Sequence, residues 1–186
     1  LLDSQLFMTS GTTLTIAPNT TILALPVASS AAAPAIVIER GATVSAPGEH
    51  TAPITMTSVF TEAALLSSAT ATTDTASTSG TIALGARGKW GGLILLGNAP
   101  TSAATPKQIE GITGKTYGGS DPSDMSGILR YVRAWHGGAV VGADNEINGI
   151  TFGGVGSGTT VEYCEVAFNA DDGFEARASG DPSRDL

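Results

Sequence analysis

The sequence predicts an all-β protein, a right-handed parallel β-helix (β-solenoid) of about 22 residues per coil with two long inserted loops. Three observations carry that prediction. Leu14, Ile16 and Ile22 recur 22 positions later as Ile36, Ile38 and Val44, and the turn before Ile22 recurs as Arg40-Gly41-Ala42-Thr43 before Val44. Short runs such as Pro53-Ile54-Thr55-Met56-Thr57 alternate apolar residues with threonine, the period of a strand buried on one face. Charged residues make up only 14% of the 186, aromatic residues 5%, and there are 24 glycines, a composition suited to stacked strands and tight turns.

Thr12 to Ile22 and Ala35 to Ala46 read as the first two coils, separated by an Ala/Ser-rich excursion from Ala28 to Pro34. At this spacing Leu14 and Ile16 stack on Ile36 and Ile38 in a dry column, and Thr13, Thr15 and Thr43 face solvent as threonine rows. Ile54 and Met56 point inward in a third coil. Residues 61–80 are dominated by Thr, Ser and Ala and form the first projecting loop, in which Ala63 to Leu66 can make one helical turn. Alternation resumes at Ile82-Ala83-Leu84. Trp90 to Leu96 rejoins the stack, and a polar loop follows over 98–126, punctuated by Gly-Gly, Asp-Pro and Ser-Gly pairs. Ile128 to Trp135, Asn148 to Gly154 and Thr159 to Phe168 are further strands. The 22-residue spacing sets Ile128 against Ile150 and Ile150 against Asp172, where Asp172-Gly173-Phe174-Glu175 starts another coil. Residues 1–186 are thus expected to be a single β-helix domain, and a piece of a longer protein.

Seventeen acidic against nine basic residues leave a net charge of −8 with no basic cluster, which excludes nucleic acid as a partner. No apolar run is long enough to span a bilayer as a helix. Cys164 is the only cysteine, so an intrachain disulfide is impossible, and its place in an alternating strand marks it as a packed thiol.

The densest polar constellation is Asp171-Asp172 with Asn169 before and Glu175 after. It reads first as a turn in which the Asp side chains accept backbone N–H bonds. A calcium site is the second reading, with Asp171, Asp172 and Glu175 as oxygen donors, and Asp121, Asp124, Asp144 and Glu146 as further acids near turns. None of these has the spacing of a known calcium loop, so no cofactor is expected apart from that calcium. Catalysis by Asp171 and Asp172 with His136 is the third reading. Adjacent carboxylates resemble those of polygalacturonase-like glycosidases, but the downstream His-Gly and Arg-Lys motifs of that family are missing: His50 and His136 lie upstream, and only Arg177 and Arg184 follow. Trp135-His136 reads first as packing at a strand end and second as a pair that stacks on and hydrogen-bonds a sugar, and Trp90 reads as packing. Gly153 to Gly158 lies between strands and lacks a following Lys-Ser/Thr, so it is a coil corner and not a phosphate loop. Asn19-Thr20-Thr21 is an N-glycosylation sequon, and Ser67 to Ser79 suits O-linked sugar.

Lys89-Trp90-Gly91-Gly92-Leu93-Ile94-Leu95-Leu96-Gly97-Asn98-Ala99-Pro100, with Ile109-Glu110-Gly111, Tyr117-Gly118-Gly119, Gly127 to Arg133, Asn145 to Thr160 and Asp171-Asp172-Gly173-Phe174-Glu175, resembles a family of secreted bacterial surface proteins. That family is described as right-handed parallel β-helix or lipoprotein-like, and the resemblance covers nearly the whole chain. It implies an extracellular or cell-surface location and no established reaction. The expected function is a non-catalytic structural or adhesive module that assembles into a surface layer, filament or appendage. Its expected partners are other copies or neighbouring surface subunits, and glycans. The alternatives are a polysaccharide lyase or glycoside hydrolase and a calcium-dependent glycan-binding adhesin.

Overall fold

The computed structural model describes residues 1–25, 33–59, 86–102, 106–142 and 145–177. The chain visits three parallel sheets in turn. The first coil is β1 (Gln5–Met8), β2 (Thr13–Thr15) and β3 (Thr21–Ala24), and the second is β4 (Ala35–Ile38), β5 (Thr43–Pro47) and β6 (Ile54–Ser58). In the third, β7 (Gly92–Leu96) is followed by an antiparallel hairpin, β8 (Lys107–Gln108) and β9 (Thr116–Tyr117), before β10 (Gly127–Arg130) and β11 (Val132–Trp135). A second antiparallel pair, β12 (Val140–Gly142) and β13 (Asn145–Glu146), leads to β14 (Ile150–Gly153), β15 (Thr160–Glu162) and β16 (Glu165–Ala167), and β17 (Phe174–Arg177) opens a fifth coil. Sheet 1 has the order β1-β4-β7-β14-β17, sheet 2 β15-β10-β5-β2 and sheet 3 β16-β11-β6-β3. This is the stacked parallel architecture of a β-helix, as the alternation predicts.

The 22-residue register is not the one the strands adopt. Leu14 pairs with Val44 and not with Ile36, whose partner is Leu6. Facing residues such as Thr13 and Thr43 are 30 apart, Ala24 and Ser58 are 34 apart, and Arg130 and Glu162 are 32 apart. Ile128 and Ile150 lie in different sheets, and Ile150 faces Phe174, not Asp172. A coil has three strands, and a shift of 22 lays β2 on β4, one side short of a full turn. Alternation with period two makes every strand resemble every other, so pattern matching cannot tell one side from the next.

The inward positions are otherwise as expected. Ile36, Ile38, Ile54, Met56, Leu93, Leu95, Leu129 and Ile150 are buried in one cluster, with Trp90 among them. Thr13 and Thr43 form an outward row, their hydroxyl oxygens 2.8 Å apart. Cys164 is half-buried against the same core, and burial pushes its thiol pKa up.

Sheet 1 departs from the simple pattern because it is buried on both faces. Val37, Ile94 and Leu96 point outward into a second apolar cluster with Ile109, Ile112, Tyr117 and Ile147. Residues 98–126 are therefore not just a polar loop: their hairpin covers this face. Lys115 Nζ donates to Glu39 Oε1 at 2.7 Å, and Arg177 pairs with Glu110. Gly153 is a glycine because the Tyr117 ring lies against it, and a Cβ there would come within 2.8 Å of that ring. The glycine-rich stretch after β14 is thus a bed for the inserted segment as well as a corner. Residues 28–32, the loop 61–80 with Ala63 to Leu66 and Ser67 to Ser79, Ile82 to Leu84, Asp144 and Arg184 lie outside the described residues.

Candidate functional site

His136, Asp171 and Asp172, three of the residues singled out for chemistry, lie where sheet 3 turns into sheet 1. Three connections stack there: the approach to β7, the turn after β11 and the turn after β16. Lys89 N donates to His136 O (2.8 Å), Gly88 N to Gly137 O (2.9 Å), His136 N to Ala167 O (3.0 Å) and Ala170 N to Gly137 O (3.1 Å). His136 and Phe168 both turn the chain through the left-handed region, with φ of 63° and 55°. Their rings stack at 5.2 Å between centroids, 13° from parallel.

His136 is sealed in this corner at 4% exposure, with Nδ1 2.8 Å from Thr57 Oγ1 and Nε2 buried without a partner among the described residues. Burial holds its pKa below the usual histidine value. Trp90 is equally enclosed, its indole N–H donating to Trp135 O at 2.8 Å, so it is a packing residue. Trp135 lies on the outer side of sheet 3, where its indole N–H donates to Glu165 Oε1 (2.9 Å) and the Arg133 guanidinium stands 5.7 Å from its ring.

Asp171 and Asp172 are exposed, and the turn is held by a different residue from the one expected. The Asn169 side-chain amide donates to Asp171 O at 2.9 Å and Asp172 O at 2.7 Å, and Gly149 N also donates to Asp172 O. The aspartates contribute their carbonyls to the turn, where the sequence pattern points to their carboxylates. Glu175 is engaged elsewhere, accepting from Asn148 Nδ2 at 2.7 Å and pairing with Arg177, which also reaches Glu110 of the hairpin segment.

Asp124 and Asp121 hold local backbone and hydroxyl groups, and the side chains of Asp144 and Glu146 lie outside the described residues. Asp124 is buried and accepts from Asn98 N (2.9 Å) and Ser126 Oγ (2.8 Å). Asp121 accepts from the backbone and hydroxyl of Ser123, bonds that lower its pKa. Among the described residues no three His, Cys, Asp or Glu side chains come together as metal ligands would. Asp171, Asp172 and Glu175 are near in sequence but are not gathered into one cage.

Asn19 is exposed at a corner with φ of 62°, a conformation asparagine tolerates better than most residues. The equivalent corners two and three coils on hold Tyr131 (φ 47°) and Tyr163 (φ 55°), whose rings stack at 4.7 Å and 14°, with His50 edge-on to Tyr131 at 6.1 Å. Sequence reasoning passes over this column of rings. Aligning 127–136 with 159–168 at a spacing of 32 exposes it, together with the Arg130–Glu162 pair (2.6 Å) and the looser Arg133–Glu165 pair (4.0 Å). Away from this corner, a cleft of about 210 Å³ lies between the hairpin and the stack, lined by Ser10, Glu39, Arg40, Lys115 and Thr116. Its Lys115 and Glu39 neutralise each other. Among the described residues no helix is long and apolar enough to cross a membrane.

A family model described as a pectate-lyase like beta helix domain matches residues 1–67 and 59–177. No curated protein matches the chain, and no solved structure does.

Proposed function

Since the chain belongs to the pectate-lyase-like β-helix domain family, a scaffold that serves enzymes and non-enzymes alike, we propose that it acts as a non-catalytic extracellular structural or adhesive module, one that assembles into a surface layer, filament or appendage. The observation that carries this reading is the state of His136. The imidazole beside the acidic turn is packed under Phe168 and against Thr57, so it serves the corner and is out of reach of a substrate. A general acid or base has to come within hydrogen-bond reach of the proton it moves. Asp171 and Asp172, without that partner, are turn residues on the surface.

The outer faces support a mechanical role. Thr13–Thr43, Arg130–Glu162 and Tyr131–Tyr163 each tie one coil to the next, and such cross-strand pairs stiffen a stack whose repeats touch only their neighbours. The extracellular setting rests on the resemblance to secreted surface proteins.

The test is a cleavage assay on neutral and acidic polysaccharides, with and without added calcium, read as reducing or unsaturated chain ends. No product release above buffer is expected. Release that disappears in Asp171→Asn or Asp172→Asn would overturn the reading and favour a lyase or hydrolase.

A further inference from the structure

We propose that the cleft between the hairpin and the stack is a binding site for a small carboxylate, with Arg40 as its anchor. This goes beyond the structural reading above and stands whether or not the chain assembles. The cleft has a volume of about 210 Å³ and lies where sheet 1 turns into sheet 2 in the first two coils. Its stack side carries Ser10, in the turn between β1 and β2, with Glu39 and Arg40, in the turn between β4 and β5. Its hairpin side carries Lys115 and Thr116.

Backbone hydrogen bonds fix both walls. Gly11 N donates to Gly41 O (2.8 Å) and Glu39 N to Met8 O (2.9 Å), which stacks one turn on the other. Gly41 has a φ of 77°, and a Cβ there would fall 2.6 Å from Ser10 Oγ, so glycine is what lets the second turn sit against that hydroxyl. In the hairpin segment Ile109 N donates to Lys115 O (2.9 Å). Arg40 Nη1 reaches across to Gly118 O (3.3 Å) and ties the turn to that segment.

Charge gives the class of ligand. Lys115 is engaged by Glu39 at 2.7 Å and stands 4.6 Å from the centroid of the Phe7 ring. Arg130, Arg133 and Arg177 are likewise paired with glutamates. Among the described residues no carboxylate pairs with Arg40, whose guanidinium carries five N–H donors and gives one of them to a neutral carbonyl. Two cations, Arg40 and Lys115, and one carboxylate, Glu39, therefore leave the cleft positive by one charge, in a chain whose net charge is −8. A carboxylate supplies that one negative charge and two oxygens that match the guanidinium fork. A phosphate dianion would exceed it and be set against Glu39. The hydroxyls of Ser10 and Thr116 add donors and acceptors, so a hydroxycarboxylate fits better than a bare one. The cleft is smaller than the ~300 Å³ at which drug-sized pockets begin, so the ligand is only a few carbons long.

The experiment is an NMR titration of the nitrogen-labelled chain with sodium glycolate, the smallest hydroxycarboxylate, and separately with acetate, phosphate and sulfate. Sodium chloride holds the ionic strength constant. Glycolate is expected to shift the amides of Arg40, Lys115 and Thr116 saturably, with a Kd of about 1–10 mM. Acetate should bind more weakly, and phosphate and sulfate more weakly still. Arg40→Gln should weaken glycolate about tenfold or more, because it removes the charge-assisted bonds. Arg133→Gln, on the outer side of sheet 3, should leave glycolate binding unchanged. If Arg40→Gln disturbs amides far from the cleft, Ser10→Ala tests the same site by removing one exposed hydroxyl, with an expected loss of about threefold. Glycolate shifts that stay linear to about 100 mM, or that chloride reproduces, would overturn the proposal. So would glycolate binding that survives Arg40→Gln or Ser10→Ala undiminished. Phosphate or sulfate binding more tightly than glycolate would overturn the assignment to a carboxylate.

Discussion

Truncating Ile94 to alanine tests whether the hairpin segment covers sheet 1. Leu93 and Ile94 are neighbours on β7, and both are buried, but they face opposite ways: Leu93 into the coil interior, Ile94 outward beneath Ile109, Ile112 and Tyr117. Ile→Ala removes three carbons, about 2.4 kcal/mol at ~0.8 kcal/mol per buried methylene. A cavity contribution then brings the cost to about 2–5 kcal/mol, the range for such core truncations. Leu93→Ala should fall in the same range. Were the outer face bare, as on an unadorned β-helix, Ile94→Ala would cost within ~0.5 kcal/mol. The ion pairs Lys115–Glu39 and Glu110–Arg177 cannot hold the hairpin segment by themselves, because partly exposed pairs contribute about 0–1 kcal/mol each. Urea unfolding followed by tryptophan fluorescence and by far-UV circular dichroism measures both costs. Amide exchange adds a local readout, because Ile109 N donates to Lys115 O within the hairpin segment and should exchange faster in Ile94→Ala. A full cost at Leu93 beside less than ~0.5 kcal/mol at Ile94 would refute the two-faced burial of sheet 1.

Two further outcomes follow from the same geometry. The folded-state pKa of His136 lies below its ordinary value of 6.5, because burial disfavours the charged ring. Above pH 6.5 the ring is neutral in folded and unfolded chains alike and stability is complete; as pH falls below 6.5 the unfolded chain takes up the proton first, and stability declines until the folded pKa is passed. His136→Asn keeps a side chain suited to the left-handed corner and should flatten that slope in thermal melts between about pH 7.5 and 5; an unchanged slope would place the titrating group elsewhere. Gly127→Ala should prevent β10 from seating on β5: a Cβ at Gly127, whose φ is +141°, would fall 2.0 Å from Val44 O. Loss of cooperative melting is expected, and a variant melting within a degree or two of wild type would mean that β10 and β5 do not pair as described.

Several features were legible because they depend on one strand at a time. Ile54 and Met56 point inward and Thr13 and Thr43 outward because a side chain's face follows from its parity along the strand. Trp90, opening a continuous apolar strand, reads correctly as core. The role of Asp171 and Asp172 was legible only as a turn. That Asn169 holds their carbonyls depends on the Asn169 amide being directed back at the chain, which a string of polar residues does not reveal. His136 offered no sign of its burial, since its cover, Phe168, is 32 residues away and its partner Thr57 is 79 residues away.

The sequence by itself determined the class of fold, because alternation, threonine and glycine-rich turns are local properties and stacked parallel strands are the way such strands bury their apolar faces. Only the tertiary structure decided the register, the second core and the fate of the acids. Register is a relation between strands that look alike, and the corners break the tie: glycine, asparagine, tyrosine and histidine there accept the backbone angles that let one coil sit on the next. The hairpin segment's few apolar residues, Ile109, Ile112 and Tyr117, reveal their purpose only when Val37, Ile94 and Leu96, from β4 and β7, are set beneath them.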